Sequence, residues 1–334
     1  MAFTTIERVA KVAQGQGVLI SEEVSLPGRH ASFATVPTQL PNSLRQTLQE
    51  QYPAGLYQHQ AAGIELGLAG ANVCMATPTA SGKTVAFASI VLSKLLGTAG
   101  ATALVLYPAR ALVSDQAAKW SVLAQACDLD VEVIDGGVEV KERADRLDSA
   151  DVVLMTPDVV HAWLLGRCDQ PANQNFLKNL RLLVLDEAHI YEGVFGTNMA
   201  YLVRRLRAAS SLRQCIASTA TISDPAAFLR LLTGFDFQVV GPDQDGSRTF
   251  TKTFLHVPLP PRRLQQTVRE LVLDLASPDD ADGKFIAFVD SRKAVEELVA
   301  QTLQSVGKPS SEVESEDQEG EEDVQSIDCA FRRT

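Results

Sequence analysis

The chain holds only five cysteines in 334 residues, at positions 74, 127, 168, 215 and 329, and no two stand in a CxxC spacing. That scatter excludes a disulfide framework and a sequence-local zinc site, and buried, reduced thiols are expected instead. No apolar run reaches the roughly 18 residues a membrane helix needs. The opening MAFTTIERVAKVAQGQG lacks the apolar stretch of a secretory leader. A cytoplasmic protein with no membrane partner is therefore expected. No repeat of fixed period and no heptad run occurs, which leaves no basis for a solenoid or a coiled coil.

Basic charge is also scarce: 30 Lys and Arg face 41 Asp and Glu, for a net charge of −11. The excess is local. Residues 310–328 carry nine acids and no base, so the remainder of the chain stands at −2. A near-neutral body of that kind is compatible with a basic groove for a polyanion.

What is present is an ordinary globular composition, 46% hydrophobic and 21% charged, long enough for two domains at roughly 100–200 residues each. Short apolar runs alternate with amphipathic stretches of helical length, the pattern of a parallel sheet covered by helices. Strands are expected at 72–76, 103–107, 131–134, 152–155, 180–185, 214–217 and 237–240. Helices are expected at 83–96, 111–127, 159–165, 197–210 and 225–233. The polar GPDQDGSRTF and the prolines at 258, 260 and 261 read as a domain boundary, followed by a helix near 262–275 and a strand at 284–289. The stretch KPSSEVESEDQEGEEDVQSID at 308–328 cannot bury enough apolar surface to fold on its own.

Two motifs carry chemistry. Ala76-Thr77-Pro78-Thr79-Ala80-Ser81-Gly82-Lys83-Thr84 joins an apolar strand to a helix. In that setting the N–H groups of Thr79, Ala80, Ser81 and Gly82 can cradle the phosphates of ATP. Lys83 adds charge at the β and γ positions, and the Thr84 hydroxyl binds Mg²⁺. Thr77 stands where the general pattern has its first glycine. About 100 residues downstream, Leu182-Leu183-Val184-Leu185 ends in Asp186-Glu187-Ala188-His189. Asp186 can hold the Mg²⁺ directly or through water, and Glu187 can orient and deprotonate an attacking water. His189 and the hydroxyls of Thr219 and Thr221, in Ser218-Thr219-Ala220-Thr221, are candidates for coupling; capping of the next helix is the competing reading of that cluster.

With these residues in view, the chain from about Leu56 to Leu303 resembles the superfamily 2 helicases of the DEAD/DEAH-box type. The resemblance implies an α/β fold: a RecA-like P-loop domain with a parallel sheet flanked by helices, and the start of a second RecA-like domain. It also assigns Tyr57 and Gln60, in Tyr57-Gln58-His59-Gln60, to the adenine end of ATP. Pro108 and Arg110, then Gly136 and Gly137, then Thr156, Pro157 and Asp158 resemble three strand-to-helix turns that grip one nucleic-acid strand by its backbone. Asp186 through Gly196, followed by Arg204-Arg205-Leu206, is similar to the YprA/MrfA-type DNA-repair helicases and their fungal RecQ-like relatives, which implies a 3′-to-5′ DNA translocase on single-stranded DNA. Thr219 replaces the usual serine and Arg110 the usual lysine. Phe288-Val289-Asp290-Ser291-Arg292-Lys293 resembles the opening motif of the second RecA-like domain.

The expected organisation is an accessory segment at 1–44, the ATP-binding domain at 45–241, a linker at 242–261, the beginning of the second domain at 262–307, an acidic segment at 308–328 and a short end at 329–334. The family's second half carries an arginine finger and zinc-binding cysteines. Arg332 and Arg333 lack the Gln- and Gly-rich flank of the finger motif. The expectation is a truncated or split helicase whose remaining half is on a second polypeptide or was not retained, slow to hydrolyse ATP alone, since an absent finger lowers rate by about 10³–10⁵. Two other readings stay open: an RNA-directed helicase, because a backbone grip does not select the sugar, and a non-catalytic, nucleotide-gated regulatory module.

Overall fold

The computed structural model describes residues 5–15, 22–259, 261–275, 288 and 292–305. The chain divides into two compact units, one of residues 29–249 and one of 1–28 with 250–334.

The larger unit is built on seven strands: β1 (Asn72–Met75), β2 (Thr102–Leu106), β3 (Val131–Val133), β4 (Val152–Met155), β5 (Leu180–Leu185), β6 (Gln214–Ser218) and β7 (Phe237–Val240). They lie in the order β7-β1-β6-β5-β2-β4-β3, every pair parallel. All seven match the sequence expectation to within a residue. Successive side chains of a strand point to opposite faces, and here each face meets its own core. Val73, Met75, Ala103, Val105, Val152, Leu154, Leu182 and Val184 enter one. Cys74, Leu104, Leu106, Val153, Met155, Leu183 and Leu185 enter the other. That is why the strands read as unbroken apolar runs.

The helices of this unit are α1 (Asn42–Gln51), α2 (Gln58–Leu68), α3 (Lys83–Leu96), α4 (Arg110–Gln125), α5 (Val140–Ser149), α6 (Pro171–Asn179), α7 (Gly193–Ala209) and α8 (Pro225–Thr233). Leu44, Phe87, Ile90 and Trp120 from α1, α3 and α4 fill the first core. Phe176, Met199, Leu202 and Leu229 from α6, α7 and α8 fill the second.

Three expectations need correction. The helix expected at 159–165 is a short turn, Pro157–Val159, running into a π-helical turn, Val160–Leu164. Helix α7 begins four residues earlier than expected, at Gly193. There the chain folds back so closely that a Cβ on Gly196 would lie 2.2 Å from the Tyr191 carbonyl oxygen. Third, Cys168 is exposed while Cys74, Cys127 and Cys215 are buried.

In the smaller unit, strand Glu22–Leu26 pairs antiparallel with Lys252–His256. Helices Thr5–Gly15 and Pro261–Leu275 are joined by the Arg8–Asp274 ion pair at 2.7 Å, and helix Arg292–Ser305 follows. Apart from Phe288, the strand expected at 284–289 lies outside the described residues, as do the acidic run and Arg332 and Arg333. No helix among the described residues is long and apolar enough to cross a membrane.

Candidate nucleotide and nucleic-acid site

Because every strand runs the same way, every strand-to-helix loop opens on one edge of the sheet, where α/β proteins bind ligands. The strand order divides that edge. β1, β6 and β5 are neighbours and bring the phosphate loop, the Ser/Thr cluster and the acid pair together. β2, β4 and β3 are neighbours and bring together the three turns at 108–110, 156–158 and 136–137.

In the phosphate loop, Thr79 and Ala80 are exposed at the crest, while Ser81 and Lys83 are buried at its base. Ala80 (φ 62°) and Gly82 (φ 80°) hold left-handed backbone conformations. Such a conformation is uncommon for any residue with a Cβ, and here two of them curl the loop over the start of α3. The Thr77 and Ser81 hydroxyls bond each other at 2.8 Å. Lys83 donates from Nζ to the carbonyls of Thr77 and Pro78 at 2.9 and 3.1 Å. Burial holds its ammonium below the usual lysine range, and the fields of Glu187 and Asp186 oppose that. The Thr84 hydroxyl donates to Gln116 Oε1 at 2.9 Å. Its proton spent there, the oxygen keeps lone pairs for a cation.

Asp186 is 8% exposed. Its Oδ1 accepts the Ser218 hydroxyl and the Glu187 N–H, the latter at 3.0 Å. Burial raises the Asp186 carboxyl above the ordinary carboxylate range, while the Ser218 hydrogen bond opposes the rise. Glu187 sits in a left-handed conformation at φ 48°, the residue before a turn of 3₁₀ helix, Ala188–Ile190. His189 Nδ1 lies 3.4 Å from Glu187 Oε2 and accepts the Ala220 N–H at 3.2 Å. One imidazole thus touches both the acid pair and the Ser/Thr cluster. Capping of α8 falls to Asp224, whose side chain accepts the Ala227 N–H at 3.0 Å. Within the cluster, Thr219 is buried with no partner for its hydroxyl among the described residues, and Thr221 is exposed. Ser218, not Thr219 or Thr221, is the hydroxyl on Asp186.

On the other half of the edge, Arg110 Nε lies 3.3 Å from Asp135 Oδ2, and Asp135 Oδ1 accepts the Gly137 N–H at 2.7 Å. A Cβ on Gly137 would stand 2.7 Å from Arg110 Nη2. Two of the three turns are therefore locked together. Pro108 is half-buried beside them and Gly136 is exposed. In the third turn, Thr156 and Pro157 are buried and Asp158 is exposed.

At the start of α2, Gln60 Oε1 accepts the Tyr57 N–H at 2.9 Å and Gln60 Nε2 donates to the Gly82 carbonyl at 2.8 Å. The Tyr57 ring stacks on Phe33 at 5.3 Å and on His59 at 5.8 Å between centroids. Phe33, paired into a short antiparallel ladder with Tyr57, remains 46% exposed. Phe33, Ser218 and Gln116 escape sequence reasoning because each lies outside the motifs or beside the residue a motif emphasises.

The family model described as DEAD/DEAH box helicase matches residues 57–228, half of the chain. The ATP-dependent helicase MJ1574 of Methanocaldococcus jannaschii is 33% identical over 266 residues, which are 75% of this chain and 37% of that protein. The ATP-dependent helicase HRQ1 of Saccharomyces cerevisiae is 30% identical over 82% of this chain and 26% of its own length. YprA of Bacillus subtilis, likewise an ATP-dependent helicase, is 27% identical over 84% and 38%. The chain thus spans well under half the length of these relatives. Among solved structures, the MrfA helicase bound to DNA superposes with a TM-score of 0.75 at 24% identity, covering 85% of this chain and 41% of that one. The Mycobacterium smegmatis helicase Lhr bound to ssDNA and AMP-PNP gives 0.66 at 19% identity, over 82% and 37%. At those identities the likeness speaks for the fold.

Proposed function

The chain belongs to the DEAD/DEAH box helicase family, and from that premise we propose that it is the nucleotide-binding part of an ATP-driven translocase that tracks single-stranded DNA in the 3′-to-5′ direction. One observation supports the reading: a single sheet edge carries the 76–84 loop and the acid pair on one half and the turns at 108–110, 136–137 and 156–158 on the other, adjacent through β5 and β2.

The residues fit a magnesium nucleotide. Thr84 offers a hydroxyl oxygen whose proton is already committed to Gln116. Asp186 offers a carboxylate fixed by Ser218 and the Glu187 N–H. When bound, Mg²⁺–ATP supplies the phosphoanhydride to be broken and positive charge beside its phosphates. The chain's part is to hold and orient. Lys83 exchanges the loop carbonyls for a phosphate, which suits an ammonium whose burial disfavours charge unless an anion is near. Glu187 accepts a proton from water, and His189 carries any displacement of Glu187 to Ala220 and the end of β6.

The upstream glutamine retains what an adenine edge needs. An amide offers two donors and two lone pairs, and Gln60 uses one of each within the protein. One N–H and one lone pair remain, and Phe33 supplies exposed aromatic surface for stacking.

DNA is preferred because a matched structure is of a helicase bound to DNA. RNA is the second reading: relatives named ATP-dependent RNA helicase also align, among them DBP8 of Meyerozyma guilliermondii at 30% identity over 74% of this chain. Competition between DNA and RNA strands of one sequence at fixed salt decides between them. For the chemistry, Glu187→Gln is expected to keep nucleotide affinity and to lower the ATP hydrolysis of the complete motor about 10²- to 10⁴-fold. Unchanged turnover in that variant rules out Glu187 as the base.

A further inference from the structure

Lys83, Thr84 and Asp186 account for charge at the phosphate loop but not for the direction of its N–H groups. His59, fully buried at the second position of α2, bears on that direction. Its Nε2 lies 3.0 Å from the Ser81 carbonyl oxygen. A carbonyl only accepts, so Nε2 carries the proton. In a neutral ring the other nitrogen is then an acceptor, and Nδ1 takes the Gly246 N–H at 3.3 Å. The tautomer is fixed by backbone groups 22 positions downstream on one side and 187 on the other.

A trans peptide is planar, and its C=O and the following N–H point in opposite directions. Anchoring the Ser81 carbonyl on His59 therefore turns the Gly82 N–H away from α2. Anchoring the Gly82 carbonyl on Gln60, at 2.8 Å, does the same for the Lys83 N–H. Two consecutive side chains of one helix end thus aim two consecutive donors of the loop.

The far side of the imidazole is braced. Asp245, whose side chain is 1% exposed, lies 3.4 Å from Nδ1 through Oδ1, and the same oxygen accepts the Ser247 N–H at 2.9 Å. Its Oδ2 accepts the Arg29 guanidinium. Arg29 and Thr249 exchange both backbone hydrogen bonds, at 2.9 and 3.0 Å. The turn admits only glycine at 246, where a Cβ would stand 2.3 Å from the Ser32 carbonyl oxygen.

We propose that His59 is a positioning residue for the phosphate loop: braced through Gly246 by the Arg29–Asp245 pair, it orients the Gly82 N–H toward a nucleotide phosphate. This rests on the reading of residues 76–84 as the nucleotide site.

Asparagine and glutamine separate the two bonds. Asparagine places an oxygen near the Nδ1 position, within reach of Gly246 but not of Ser81; glutamine extends an N–H to the Nε2 position, within reach of Ser81. The test is equilibrium binding of a non-hydrolysable ATP analogue to the full chain, with hydrogen exchange at Gly82 and Lys83 read without nucleotide. His59→Asn is expected to weaken binding about tenfold and to speed exchange at Gly82, and His59→Gln to bind within about threefold of the parent, on a scale where one tenfold step is about 1.4 kcal/mol. Arg29→Ala, at a half-exposed side chain, is expected to weaken binding about threefold, one lost brace standing well under one tenfold step. Equal affinity in His59→Asn and the parent overturns the proposal, as does equal loss in the Asn and Gln variants. Should either variant fail to fold, Arg29→Ala decides, and parental affinity there overturns it. Lys83→Ala tests the underlying reading separately: if it binds like the parent, the nucleotide site itself is misplaced.

Discussion

The Ser218 hydroxyl donates to Asp186 Oδ1, the oxygen that also accepts the Glu187 N–H, so a residue at the end of β6 sets the orientation of a carboxylate at the end of β5. The two strands are neighbours, and the serine is completely buried. An outer partner of a metal-binding carboxylate typically changes affinity or activity by about 10- to 100-fold when removed. Ser218→Ala is expected to lower the ATP turnover of the complete motor by that factor and to raise the Mg²⁺ concentration needed for half-maximal rate. Nucleotide binding in the absence of Mg²⁺ should be close to parental. A Mg²⁺ titration of ATPase activity reads both, and an unmoved midpoint would assign Ser218 to packing alone.

The sheet was legible because strands buried on both faces need unbroken apolar runs, and 72–76, 103–107 and 180–185 have them. The meeting of the 76–84 loop with the acid pair was legible because a parallel sheet brings its strand ends to one edge. Phe33, Ser218 and Asp245 were not. Their importance comes from pairings between distant segments, such as Phe33 with Tyr57, Ser218 with Asp186 and Asp245 with Arg29, and a single sequence carries no record of such pairings. The start of α7 at Gly193 depends on another such pairing, the close approach of Gly196 to the Tyr191 carbonyl, which leaves no room for a Cβ.

The buried imidazole also makes stability depend on pH. Burial lowers the pKa of His59 below its ordinary 6.5, and the field of Asp245 only partly offsets this. Below pH 6.5 the unfolded chain binds a proton that the folded chain refuses, so stability is complete above 6.5 and is lost as pH falls from there toward the folded-state value. The loss is at most about 1.4 kcal/mol for each pH unit crossed. Asp186, raised by burial, acts in the opposite sense at lower pH, so the comparison is with His59→Gln. Melting temperatures of parent and variant, taken between about pH 5 and 8, should converge downward on acidification as the parent loses stability and the variant does not. Parallel curves would mean that the folded imidazole takes up its proton unhindered.

Arg110 is a cation fixed between two of the three turns, held by Asp135 while its side chain stays 61% exposed. A guanidinium so placed can reach a phosphate without leaving its carboxylate, since it has donors on more than one edge. If it contacts a strand backbone, Arg110→Ala should weaken single-strand binding of every sequence alike and reduce the slope of log K against log salt by about 1, the signature of one lost phosphate contact. Arg110→Lys keeps a point charge and should restore most of the slope, though less of the affinity, because the fork to Asp135 is lost. Binding isotherms at several salt concentrations separate the cases. A slope unchanged in Arg110→Ala would leave the guanidinium a purely internal role, joining the turn after β2 to the turn after β3.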